Sequence, residues 1–174
     1  MTLTWHGLAE ERFVRYRSFI NANDPGICGT YCVAVLAHDR VRMDTGQDLK
    51  LDQMISGIQP AVDQYRPYPG SFIWDIALGL NLLFLGCPVG VGVGLTTEYH
   101  VPRLIDRGLG PLIVGTTSLY GSTYHNHWVV VYAYAFDSDG VLWFKAYDNH
   151  GRHNAIIPAR TTVGYAYLHQ TTTE

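Results

Sequence analysis

The apolar positions of this chain follow two different rhythms. Up to about residue 107 they recur at helical intervals. Beyond that they come in short β-branched and aromatic runs. Cys28, Tyr31, Cys32, Val35 and Leu36 follow i, i+3, i+4, i+7, i+8 spacing and predict a helix over 28–38 with one apolar face. Residues 8–20 form a short helical pattern with Phe13, Tyr16 and Ile20 on one side. Residues 49–65 and 71–85 read as helices separated by PYPG, the second more apolar and so more deeply buried. A short helix over 98–107 ends at Gly108. Strands are predicted at 111–117, 127–135, 141–148 and 162–168, and GVGVG at 90–94 reads as a strand packed closely on its neighbours. Helices first and strands second make an α+β pattern.

Length and charge narrow the class. One domain over residues 1–174 fits the size. Twelve Lys and Arg against fifteen Asp and Glu give a net charge of −3, and no basic stripe marks a nucleic-acid partner. Three cysteines, an odd number, argue against a disulfide framework and for a reducing compartment. The segment MTLTWHGLAEERFVRYR is too polar for a secretory signal, so a cytoplasmic location is expected. A mature secreted form would look much the same. Ile76–Thr97 is uncharged and long enough to span a bilayer, but Asn81, Pro88 and five glycines interrupt it, and no membrane span is expected.

The candidate chemistry lies at three places. Cys28 stands where the loop NANDPG enters a helix, and unpaired N–H groups with the helix dipole favour a thiolate there. Cys32 lies one turn further in, as a core residue would, and Cys87 sits in a turn before proline. His127 opens one strand and YDNHG closes the next, with FDSDG as the hairpin turn between them. A loop of 136–139 puts His127 opposite Asp148, and a loop of 136–140 puts it opposite Asn149. A loop of 137–140 puts it opposite His150. A histidine base needs its second nitrogen held by an acceptor, which Asp148 or Asn149 supplies. Cys, then His, then Asp or Asn are the ingredients of nucleophilic catalysis.

These segments resemble the papain-like cysteine peptidases, above all the bacterial double-glycine, bacteriocin-processing peptidases. ICGTYCVAVLAHD is similar to their nucleophile helix, HWVVVYAY to their histidine strand and AYDNHG to the segment bearing the orienting acid. The resemblance implies N-terminal helices carrying the cysteine, packed on a C-terminal antiparallel sheet. It implies hydrolysis of a peptide amide bond with no cofactor, by Cys28, His127 and Asp148. Asn149 is the alternative orienting residue, since papain uses asparagine there. The Cys-Gly start favours Cys28 over Cys32. Relatives carry a glutamine about six residues before the cysteine to bind the oxyanion. Here that position is Ala22, flanked by Asn21 and Asn23, and Asn23 is the expected substitute.

Other readings use the same residues. A cell-wall amidase or acyltransferase needs the same Cys and His, and a non-catalytic peptide-binding module needs only the cleft. A metal site would draw on His125, His127, His150 and His153, with Asp148 near. The hydroxyl-rich loop GTTSLYGSTYHN at 115–126 would line the cleft in any of these.

Overall fold

A computed structural model describes residues 3–21, 26–65 and 67–171. The first segment contributes a two-residue strand, β1 (His6–Gly7), and two 3-10 turns at Glu10–Arg12 and Val14–Tyr16, where the sequence pattern predicts one short helix. Four α-helices follow: α1 (Cys28–Thr45), α2 (Leu51–Gln59), α3 (Ile73–Leu83) and α4 (Thr97–Asp106). The remaining strands are β2 (Val89–Gly94), β3 (Leu112–Thr116), β4 (His127–Phe136), β5 (Leu142–Tyr147), β6 (Ala155–Pro158) and β7 (Thr162–Gln170). They form one antiparallel sheet in the order β2-β7-β3-β4-β5-β6, with β1 added beside β4. Among the described residues no helix is long and apolar enough to cross a membrane.

The sheet is covered on both faces, which explains the unbroken apolar run of β4. Val130 and Tyr132 pack with α1, α2 and α3; Val129 and Val131 pack with α4 on the other side. A strand buried on both faces loses the period-2 alternation of a half-exposed one.

Helix α1 departs from expectation in two ways. It runs to Thr45, seven residues beyond the predicted end, and stops where Gly46 takes φ 73° and donates back to Arg42 O at 2.9 Å. It is also buried on nearly every side between Cys28 and Asp39, not along one face. Polar residues inside it must therefore find partners. Asp39 accepts from Arg12 Nε at 2.8 Å and from Arg12 Nη2 at 2.6 Å. His38 bonds Tyr16 Oη at 2.9 Å and Leu49 O at 3.0 Å. The helix expected over 49–65 is broken at Pro60, where the chain continues as a π-helical turn, Pro60–Gln64. Between β2 and β7 the glycines of GVGVG leave room for rings. A Cβ at Gly90, Gly92 or Gly94 would lie 2.3–2.6 Å from the side chains of His169, Tyr167 and Tyr165 in turn.

Helix α3 is seated by a glycine as well. A Cβ at Gly79 would lie 2.5 Å from Val62 Cγ2 and 3.4 Å from Val33 Cγ1, and Val33 and Val62 are fully buried. Gly79→Ala is therefore expected to destabilise the fold by about 1–3 kcal/mol through overpacking, read as a lower midpoint in denaturant unfolding.

Candidate active site

The N-terminus of α1, the start of β4 and the turn after β5 meet at one cleft of about 740 Å³. Cys28, His127, Asn21, Tyr124, Trp128 and His150 line its centre. Its rim on one side is the segment Pro69–Trp74, where the Phe72 and Trp74 rings stack with centroids 4.6 Å apart. Leu95, Gly115–Thr117, Val163 and Gly164 form the opposite wall.

Cys28 opens α1, and Gly29 follows because nothing larger fits. A Cβ there would lie 2.1 Å from Ser71 Oγ and 2.9 Å from Ile76 Cδ1. The Cys28 thiol accepts from the Trp128 backbone N–H. Its pKa is nonetheless pushed up to about 11, first by burial and then by the nearby Asp63 carboxylate, against the help of that hydrogen bond. The expected lowering by the helix terminus is outweighed, because 8% exposure leaves a thiolate little water. Cys32 is wholly buried, and burial raises its thiol well above the ordinary value, as a core cysteine requires.

His127 sits with Nε2 2.8 Å from the main-chain oxygen of Asp148. A carbonyl only accepts, so Nε2 carries the proton and Nδ1 keeps its lone pair. The Tyr124 ring stacks against the imidazole at 5.6 Å and the His150 ring lies tilted at 4.3 Å. Burial, followed by repulsion from His150, lowers the His127 pKa to about 4, although the Asp148 carbonyl favours the charged form.

The hairpin register differs from the commoner loops considered above. The loop is 137–141, with Phe136 opposite Leu142, and the register shifts by one between Val131 and Ala133. Val130 then faces Tyr147, and the same pairing carried past the strand end brings His150 opposite His127. So the Asp148 carboxylate does not meet the imidazole. Its Oδ2 accepts from Tyr124 Oη at 2.8 Å, and its Oδ1 from the N–H groups of His150 and Arg152 at 2.9 Å each. Asn149, at φ 46°, turns its amide nitrogen to Trp128 O at 2.9 Å and Cys32 Sγ at 3.5 Å, away from His127.

Asn23 lies outside the described residues. Its neighbour Asn21 enters the site instead, tied by its N–H to Asn149 O at 3.0 Å. Its carboxamide is satisfied with oxygen toward the Cys28 N–H at 3.2 Å and nitrogen toward Asn149 O at 3.2 Å and His150 Nε2 at 3.3 Å. The sequence signal for it was an amide seven residues before the cysteine rather than six. Trp128 had no such signal. Its indole N–H donates to Ser71 O at 2.9 Å across the cleft floor, and its ring would meet a Cβ at Gly115 at 3.0 Å.

The histidines considered for a metal are dispersed. His125 lies before β4 at φ 58°, so it shares no strand face with His127, and His153 Nε2 lies 3.5 Å from Glu10. Among the described residues no group of three His, Cys, Asp or Glu is placed to hold a metal ion.

Helices packed on a following antiparallel sheet define a class of fold, and this one is papain-like. Solved structures that share it include two bromelains. The bromelain protease of Ananas comosus in complex with the E64 inhibitor aligns with TM-score 0.52 at 13% identity, covering 88% of this chain and 93% of that one. A recombinant stem bromelain precursor aligns with TM-score 0.54 at 12% identity, covering 97% of this chain and 74% of that one. No family model matches the chain, and no curated protein matches it.

The buried imidazole makes stability acid-sensitive. In the unfolded chain His127 titrates near 6.5, and in the fold near 4, so the unfolded state binds more protons between these values. Stability is thus intact above pH 6.5 and is lost as pH falls toward 4, by about 3 kcal/mol from this residue. Denaturant unfolding at pH 7 and pH 4.5 should show a smaller loss in His127→Gln than in the wild type.

Proposed function

We propose that the protein is a cysteine-dependent amide hydrolase acting on peptides, with Cys28 as nucleophile and His127 as general base and acid. The observation that carries this is the state of His127: its Nε2 is held by the Asp148 carbonyl, leaving Nδ1 as a free acceptor in the cleft that Cys28 lines. Burial raises the pKa of the Cys28 thiol to about 11 and lowers that of the His127 imidazole to about 4.

The steps balance as follows. Cys28 Sγ attacks the amide carbonyl carbon while its proton passes to His127 Nδ1. The Cys28 N–H stabilises the oxyanion, and rotation of the Asn21 carboxamide adds a second donor beside it. The C–N bond breaks as His127 returns the proton to the leaving nitrogen. Water then attacks the thioester, giving its proton to His127, and the thiol is restored as the carboxylate leaves. The role of Asp148 is to orient His127 through its main-chain oxygen and to hold Tyr124 against the ring through its carboxylate.

Within this class, the Cys-Gly start of α1 supports a relationship in substrate chemistry to the bacterial double-glycine peptidases. The stacked and exposed Phe72 and Trp74 rings favour one second reading, a cell-wall amidase, because flat aromatic faces also take up sugars.

A peptide library and muropeptide fragments, digested in parallel and read by mass spectrometry, separate the two. Cleavage by the wild type should fall at least about a thousandfold in Cys28→Ala and in His127→Ala, and persist in Cys87→Ser. Undiminished cleavage in Cys28→Ala would overturn the assignment.

A further inference from the structure

The turn after β5 places a second histidine at the site. His150 is exposed in the cleft, and its ring centroid lies 4.3 Å from that of His127. Its Nε2 is 3.3 Å from the Asn21 carboxamide nitrogen. An amide nitrogen only donates, so Nε2 accepts here and carries no proton. The same carboxamide turns its oxygen to the Cys28 N–H at 3.2 Å. We propose that His150 is a positioning residue for the oxyanion site: a proton on its Nε2 turns the Asn21 carboxamide about, which uncaps the Cys28 N–H and sets the Asn21 nitrogen beside it as a second donor. This rests on Cys28 being the nucleophile.

The physical reason is that one carboxamide serves two ends. Cys28 is the first residue of α1, so its N–H has no carbonyl within the helix and needs a partner outside it. Asn21 Oδ1 fills that place, while the Asn21 nitrogen is shared between Asn149 O at 3.2 Å and His150 Nε2 at 3.3 Å. A substrate carbonyl that takes the Cys28 N–H must displace Asn21 Oδ1. Turned by half a rotation, the carboxamide puts its oxygen where the nitrogen stood. While His150 Nε2 is bare, that oxygen meets only acceptors there, and this orientation is disfavoured. Once protonated, Nε2 donates to it, and a charge-assisted bond of this kind is about twice as strong as a neutral one. Asn149 O still opposes the turn. The carboxamide therefore has two positions, and the His150 proton selects between them.

Groups from every neighbouring element bear on that proton. His150 faces His127 on β4, Asn21 on the N-terminal segment and Cys28 at the head of α1. Tyr124, before β4, has its ring centroid 6.0 Å away. Within its own turn, the His150 N–H donates to Asp148 Oδ1 at 2.9 Å, and the same oxygen accepts from Arg152 N–H. The Asp148 carboxylate favours a charged ring, and a charge on His127 opposes one. Burial holds His127 down at about 4, so above pH 5 that repulsion is small. Histidine changes charge between pH 5 and 8, and the exposure of His150 lets water supply the proton. The oxyanion site thus gains its second donor on the acid side of neutrality.

Hydrogen exchange at the Cys28 amide, followed by NMR on the 15N-labelled protein between about pH 5.5 and 7.5, tests this with no substrate present. Protection, taken relative to an unstructured chain at each pH, should fall roughly three- to tenfold in the wild type as the pH is lowered. In His150→Gln it should not vary with pH, because the glutamine amide exchanges no proton in this range. In Asn21→Ala, which lacks the cap, it should be low throughout. Folding of each variant is checked by thermal melting. Constant protection in the wild type, or a pH dependence that persists in His150→Gln, would overturn the proposal. With a peptide that the wild type cleaves, kcat should fall roughly tenfold from about pH 5.5 to 7.5 while KM changes little. Asn21→Ala should lower kcat about a hundredfold at the acid end and abolish that dependence. The same pH dependence remaining in Asn21→Ala would mean that His150 acts through the charge on His127, and this too would sink the proposal. Peptide cleavage independent of Cys28 would instead remove the catalytic reading beneath it, and the exchange measurement tells these failures apart.

Discussion

Everything in this fold depends on driving one helix, α1, through the middle of the protein. Between Cys28 and Asp39 it is buried on nearly all sides, with the sheet on one side and α2 and α3 on the others. Such a helix sheds water from its polar side chains as well as its apolar ones, and each must be answered from elsewhere in the chain. Arg12 from the N-terminal turns answers Asp39, Tyr16 and Leu49 answer His38, and Asp63 answers Thr30. These tethers are long in sequence. They fix the N-terminal segment and the loop after α2 around the helix, and so they fix the walls of the cleft at its end.

The site follows from where α1 begins. Its first residue lines the cleft at the point where β4 begins, so Cys28 and His127 come from the two layers of the domain. Trp128 joins these layers below them: its backbone donates to the thiol, and its indole reaches Ser71 on the helical side. The cleft thus has a floor whose width is set by one side chain. The same enclosure explains the electrostatics. A thiolate at Cys28 and an imidazolium at His127 are each disfavoured by burial.

Much of this was legible in the chain. The helix starting at Cys28 followed from apolar spacing, the strands from β-branched and aromatic runs, and the α+β order from their sequence. Close packing of GVGVG against a neighbouring strand was legible from its glycines, and Tyr165, Tyr167 and His169 of β7 explain it. What was not legible was mostly non-local. The extension of α1 to Thr45 depends on burying Asp39 against Arg12, 27 residues earlier. The pairing of His127 with the turn depends on a register shift near Tyr132, which loop length alone does not reveal. β6 was missed because AIIP is short and ends in proline. Among the candidate residues, Cys28 and His127 line one cleft as expected, whereas Asp148 meets the imidazole through its backbone and Asn149 turns inward.

That backbone contact has a bearing on how such a site changes over time. A main-chain oxygen belongs to no particular amino acid: position 148 can exchange its side chain and still present the same atom to His127, provided the turn keeps its shape. Selection at that position acts on the path of the chain, through the carboxylate that pins His150, Arg152 and Tyr124. Scanning the site by truncating side chains one at a time would pass over the acceptor itself. The group that aligns His127 would register only as a loss of local order.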